Sequence, residues 1–218
     1  MDELISGAVH DPHALLGAHP KGDATVIRTL RRGATEVAVV VGDQRYPMTR
    51  IHDECVFEAT VPGTVLDYRL DVDRTVRDDP YRHLPTVGEL DLHLIGEGRH
   101  ERLWDVLGAH VKPGGVAFAV WAPSARGVRV VGDCTGWAAQ DGWPMRSLGG
   151  SGVWELFVPG VSAGERYKFR ILGRDGVWRE KADPLARQTE EPPRTASIVT
   201  ESHYEWKDAD WLAQRAQA

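Results

Sequence analysis

The 218-residue chain carries 26 Lys and Arg against 32 Asp and Glu, a formal charge of −6 at pH 7, with 42% hydrophobic and 27% charged residues. This balance excludes disordered and collagen-like classes, and it argues against a nucleic-acid or anionic-membrane surface, which needs a clustered basic face. No apolar run approaches the ~18 residues of a membrane helix, and the N-terminus (Met1, Asp2, Glu3) lacks the basic start of a signal peptide, so a cytoplasmic location is expected.

In chain order, the first feature is a group of three histidines, His10, His13 and His19. No cysteine or carboxylate set accompanies them, and Asp11-Pro12 marks a turn, so they read as a turn docking the N-terminus rather than as a metal site. Short β-branched or alternating runs bounded by Gly, Pro and Asp follow at 35–41, 54–59 and 68–72 and read as strands. Residues 100–108 place apolar side chains at helical spacing before Gly108 and predict a short connecting helix. Strand patterns return at 127–131, 153–158 and 166–172, and residues 208–216 read as a helix with acidic residues in its first turn. The two cysteines, Cys55 and Cys134, form no Cys-x-x-Cys pair, so neither a disulfide scaffold nor a cysteine zinc site is expected.

The sequence repeats itself. Val39-Val40-Val41-Gly42-Asp43, Pro47-Met48, Val61-Pro62-Gly63, Tyr68-Arg69 and Asp79-Pro80 recur in order as Val130-Val131-Gly132-Asp133, Pro144-Met145, Val158-Pro159-Gly160, Tyr167-Lys168 and Asp183-Pro184. Two related modules in tandem explain this better than one large domain. With strands in each copy and frequent turn signals, the fold class is all-β: two tandem immunoglobulin-like β-sandwich modules with short connecting and terminal helices.

A catalytic constellation is not evident. Gly149-Gly150-Ser151-Gly152 fails the Gly-x-Ser-x-Gly elbow because Val153 takes the last position. Phosphate-cradling glycine motifs are missing, and sequence alone does not pair Asp133, Glu155 or Asp183 across a sugar. No catalytic residue, metal or cofactor is expected. All eight tryptophans lie at or beyond position 104. Trp121 and Trp154 fall in strands and are expected in the core, whereas Trp137 and Trp178 follow turns. Loop tryptophans on a rigid β scaffold suit stacking on the apolar face of a pyranose, and Lys168, on an alternating strand, supplies a donor to sugar hydroxyls. The competing reading packs both rings within the module or against another domain.

Residues 118–125, 131–137, 152–157 and 167–171, with Trp121-Ala122-Pro123 and Gly132-Asp133 among them, resemble the family 48 carbohydrate-binding module. The segment from His10-Asp11-Pro12-His13 to His19-Pro20, together with Asp183-Pro184, resembles the N-terminal part of bacterial 1,4-α-glucan branching enzymes, and the likeness covers essentially the whole chain. The resemblance implies a module 1–100, a linker helix 101–114, a family 48 module 115–202, and at 203–218 the start of a helix leading to a catalytic barrel that this chain lacks. It implies an α-glucan ligand (glycogen or maltooligosaccharide) contacted by Trp137, Lys168 and Trp178, a catalytic barrel domain as partner, and no nucleic acid or membrane. The first module has no matching tryptophan and is expected to be structural. Cys134-Thr135 replaces the Phe-Asn usual in the family, which removes an aromatic beside Trp137. The alternative function is a scaffold packed on the barrel with no sugar binding of its own.

Overall fold

The computed structural model describes residues 2–52, 55–138, 142–202, 204–205 and 207–215. Glu54, Trp206 and residue 216 of the expected terminal helix lie outside them. After helix α1 (Asp2–Ser6) come eight strands: β1 (Gly17–Lys21), β2 (Ala24–Leu30), β3 (Val37–Val41), β4 (Gln44–Pro47), β5 (Thr49–His52), β6 (Val56–Pro62), β7 (Arg69–Val72) and β8 (Thr75–Arg77). Helix α2 (Glu89–Gly96) precedes β9 (Gly108–Lys112), β10 (Gly115–Trp121), β11 (Gly127–Gly132), β12 (Trp143–Pro144), β13 (Arg146–Ser147), β14 (Val153–Pro159), β15 (Arg166–Leu172) and β16 (Trp178–Lys181). The short β17 (Gln188–Thr189) and β18 (Ser197–Ile198) and helix α3 (Ala209–Arg215) complete the chain.

Pairing makes the repeat explicit. The first eight strands form antiparallel sheets β1-β2-β6-β5 and β4-β3-β7-β8. The next eight reproduce them as β9-β10-β14-β13 and β12-β11-β15-β16, with β18 sharing the same edge of β15 and β17 pairing β18. Each pair of sheets meets because one face of each strand is apolar. Ile27, Ala59 and Val61 of one sheet pack on Val39 and Leu70 of the other; Phe118 and Leu156 pack with Val130, Tyr167 and Phe169 in the second sandwich. The all-β reading of two tandem sandwiches holds.

The two sandwiches share a core. Leu4, Leu16, Leu30, Val56 and Tyr81 join the same buried cluster as Phe118, Val130 and Trp154. The N-terminal segment is the wedge between them: Ser147 N–H donates to His10 O at 2.7 Å, and the His10 ring lies 5.4 Å from that of Trp154. Asp11 caps the Pro12–Ala14 turn by accepting from His13 N–H at 3.0 Å. His13 sits edge-on to Tyr81, and His19 Nε2 lies 3.1 Å from Leu16 O. The three histidines thus meet separate structural neighbours, as the turn reading expects.

Two expectations need correction. The connecting helix lies upstream, at Glu89–Gly96, and within 100–108 the chain makes only a 3-10 turn at Leu103–Asp105. The helical spacing of Leu103, Val106 and Leu107 arises because all three turn into one apolar cluster with Val87, Ile95, Ala119 and Val153. Gly108 opens a strand instead of closing a helix, so residues 108–112 already belong to the second sandwich, ahead of the expected start at 115. Trp121 is not core: it is 55% exposed at the end of β10, its Nε1 donating to Ser151 O at 3.1 Å, whereas Trp154 is buried as expected.

Candidate functional site

Tyr167 and Phe169 are buried, so the two-residue alternation of β15 turns Arg166, Lys168, Arg170 and Leu172 to its other face. The three expected residues are strung along that strand. Trp178, the first residue of β16, stands opposite Leu172 at one end. Trp137 lies at the other, in the turn that follows β11, whose last residue Gly132 pairs with Tyr167. Lys168 lies between, half-buried and opposite Val131. From Arg166 to Leu172 a strand covers ~20 Å, so the site is an elongated track and not a pocket.

Each ring is held in place. Gly136 and Trp137 both adopt left-handed backbone conformations, φ 60° and 62°, a cost for a bulky residue that persists only where the surroundings impose it. Here the Trp137 N–H donates to Gly132 O at 3.0 Å and the indole Nε1 to Asp133 Oδ1 at 2.8 Å. Arg166 clamps the same carboxylate through Nη2 at 2.8 Å, Nε at 3.1 Å and its backbone N–H at 2.9 Å, and its guanidinium lies 5.9 Å from the Trp137 ring centroid. The hydrogen bonds from Arg166, joined by that from Trp137, lower the Asp133 pKa to about 2. The replacement at Cys134-Thr135 leaves the loop tied, because Thr135 Oγ1 accepts from Gly132 N–H and donates to Gly132 O, both at 3.1 Å.

Trp178 is half-buried, with the guanidinium of Arg129 4.9 Å and that of Arg170 5.4 Å from its ring centroid. Arg129 is itself buried and donates from Nη2 to Ile5 O at 3.0 Å. Burial, and then the charge of Arg32, lowers its pKa to about 10. The N-terminal segment therefore underpins one end of the track. Sequence reading missed Arg129, Arg166 and Arg170; the alternating basic positions 166, 168 and 170 were the signal available. Two amphipathic rings flanking a row of cationic donors match an extended polyhydroxylated chain, whose apolar faces stack and whose hydroxyls accept hydrogen bonds.

The profile of the alpha-1,4-glucan branching enzyme GlgB N-terminal domain matches residues 1–81, and that of carbohydrate-binding module 48 (isoamylase N-terminal domain) matches residues 106–186. The 1,4-alpha-glucan branching enzyme GlgB of Frankia casuarinae is 59% identical over 100% of this chain and 28% of its own length. Those of Rhodococcus jostii and Thermobifida fusca are 53% and 54% identical over 99% and 100% of this chain, each across 31% of the relative. The chain thus spans less than a third of the length of these relatives. It belongs to the GlgB family of 1,4-alpha-glucan branching enzymes, and corresponds to their N-terminal region, a GlgB N-terminal domain followed by a family 48 carbohydrate-binding module.

Proposed function

We propose that this region is the non-catalytic part of a glycogen branching enzyme, that it binds α-glucan along β15 through Trp137, Lys168 and Trp178, and that it positions a catalytic barrel supplied by the rest of such an enzyme. The observation that carries the reading is Trp137: a half-exposed indole kept in a left-handed conformation and oriented by Asp133 and Arg166. Packing alone gives no reason to hold a tryptophan there, whereas a stacking platform requires its ring fixed before the sugar arrives. Branch formation from an α-1,4 to an α-1,6 linkage is the activity we assign to the whole enzyme.

One observation favours the scaffold reading for the other end of the track. Trp178 already packs against Arg129 and Arg170, so part of its ring is engaged within the module. Native electrophoresis with and without glycogen in the gel separates the two. Retardation of the wild-type chain that is lost in Trp178→Ala and in Trp137→Ala supports the glucan track; a folded wild-type chain that migrates unchanged leaves the region a scaffold.

A further inference from the structure

The middle of the β15 track carries more positive charge than the carboxylates around it take up. Arg166, Lys168 and Arg170 follow one another along one face of the strand, ~7 Å apart. Arg166 is committed, with Asp133 and Glu190 at 2.8 and 3.4 Å from its guanidinium. Lys168 and Arg170 make no ion pair or hydrogen bond among the described residues. Glu180 stands opposite Arg170 in the β15–β16 register, yet it is exposed and pairs with no described cation.

Arg170 also stands beside like charge. The register sets it directly opposite Arg129 of β11, a buried cation, and its charge is among the causes that lower the Arg129 pKa. Both guanidiniums meet the same ring, at 4.9 and 5.4 Å from the Trp178 centroid. That ring reaches across the sheet beside them: Trp178 opposes Leu172, Leu172 opposes Gly127, and a Cβ on Gly127 would lie 3.6 Å from Trp178 Cη2. Arg170 thus has an aromatic ring for its neighbour where a carboxylate is usual, and Arg129, held on Ile5 O, adds to the positive field at this point.

We infer that the track, on the glucan reading on which this rests, favours a glucan that carries a phosphate monoester, held between Lys168 and Arg170 while the chain runs from Trp137 to Trp178. The hydroxyls of a neutral glucan need donors but do not neutralise charge. A phosphate neutralises both cations and takes charge-assisted hydrogen bonds from an ammonium and a guanidinium together. Two long side chains rooted ~7 Å apart on one face can close on a single phosphate from either side. The two rings hold the sugar chain, so the phosphate is read as a substituent of that chain.

The test compares migration of the whole chain in native gels that contain either a glucan carrying phosphate monoesters or the same glucan after phosphatase treatment. The wild-type chain is expected to bind the phosphorylated form at least ~5-fold more tightly at low salt, with the ratio shrinking as added salt screens the charges. Lys168→Gln and Arg170→Gln, each checked for a wild-type urea midpoint, are expected to cut the ratio, and the double variant to bring it to about 1. Trp137→Ala is expected to weaken retention in both gels and to keep the ratio. Glucose 6-phosphate at millimolar concentration is expected to leave retention in place, because it offers the rings no chain. Equal retention in the two gels overturns the phosphate preference and leaves the glucan track standing, whereas no retention in either overturns both. A ratio that survives the double variant, or retention released by glucose 6-phosphate, also overturns the preference.

Discussion

The hydroxyl of Tyr68 donates to Asp79 Oδ2 at 2.7 Å, and the repeat reproduces the bond between Tyr167 and Asp183 Oδ2 at 2.5 Å. Both aspartates begin an Asp-Pro turn and both are buried. Burial raises the pKa of each carboxyl, with the tyrosine hydrogen bond pulling the other way. Removing a hydroxyl leaves a buried carboxyl short of a partner, at a cost of ~1–3 kcal/mol. Tyr68→Phe and Tyr167→Phe are each expected to lower the unfolding free energy from urea titration by that amount. The loss should be smaller for Tyr68→Phe, because Arg31 still reaches Asp79 at 3.4 Å. Urea titration of both variants checks size and order; equal losses would deny Arg31 its compensating role.

A second repeated pair shows how the same motif is held to different tolerances. Gly17 and Gly108 each follow a leucine whose carbonyl oxygen lies 3.0–3.1 Å from a histidine Nε2, Leu16 with His19 and Leu107 with His110. Both glycines have positive φ, 88° and 104°. A Cβ on Gly17 would collide with the backbone oxygen of Tyr81, whereas one on Gly108 would meet Leu185 O at 3.3 Å. Both alanine substitutions carry the ~1–2 kcal/mol of a left-handed residue, and only Gly17→Ala adds a backbone clash. Thermal or urea unfolding should rank Gly17→Ala well below Gly108→Ala, which in turn falls below wild type.

The repeat was legible because turns and buried strand ends constrain residue type: Gly42 and Gly132, and the Asp-Pro pairs at 79 and 183, stand at equivalent places in the two sandwiches. The Leu-Gly-Ala-His pair at 16–19 and 107–110 was equally available and opens each sandwich with an equivalent strand, β1 and β9. It went unread because residues 100–108 matched a helical pattern that three-dimensional packing produced by other means. The true helix was hidden for the opposite reason. Leu90, Leu92 and Leu94 alternate with polar residues like a strand, and Ile95 is the sole buried residue of that helix. Trp121 shows the limit for single positions. Strand membership fixes which face a side chain takes, but the coverage of that face depends on distant segments, here too little to bury the ring. For the candidate track, the alternation placing Lys168 was readable, while the clamp of Asp133 by Arg166 spans 33 positions and needs the fold.

The strained backbone at Trp137 separates binding from stability. Trp137→Gly relieves the left-handed conformation that Trp137→Ala keeps, so the glycine variant is expected to be more stable than the alanine variant by ~1 kcal/mol, while both lose retention on glycogen. Asp133→Ala frees both the indole and Arg166, and is expected to weaken retention several-fold with the ring still present. Denaturation paired with native affinity gels reads both quantities. Full retention by Asp133→Ala would mean that the orientation of the ring is irrelevant to the sugar.

Acid sensitivity should centre on His13. Its ring is largely buried against Tyr81, neither ring nitrogen has a hydrogen-bond partner among the described residues, and its pKa falls from 6.5 to about 3. Burial is the main cause, followed by the charges of Arg146 and His83. Because the folded pKa lies below the unfolded one, the unfolded chain takes up a proton first as pH falls. Stability is then complete above pH ~6.5 and lost progressively toward pH ~3. At pH 5 the difference of about 1.5 pH units corresponds to ~2 kcal/mol. His83 and His110 are also shifted down, chiefly by burial, so the wild-type chain should lose somewhat more than His13 alone explains. In His13→Leu, which has no proton to gain, the fall in unfolding free energy between pH 7.5 and 5.0 is expected to shrink by ~2 kcal/mol. A variant with the wild-type slope would shift the acid response to His83 and His110, and leave His13 as packing alone.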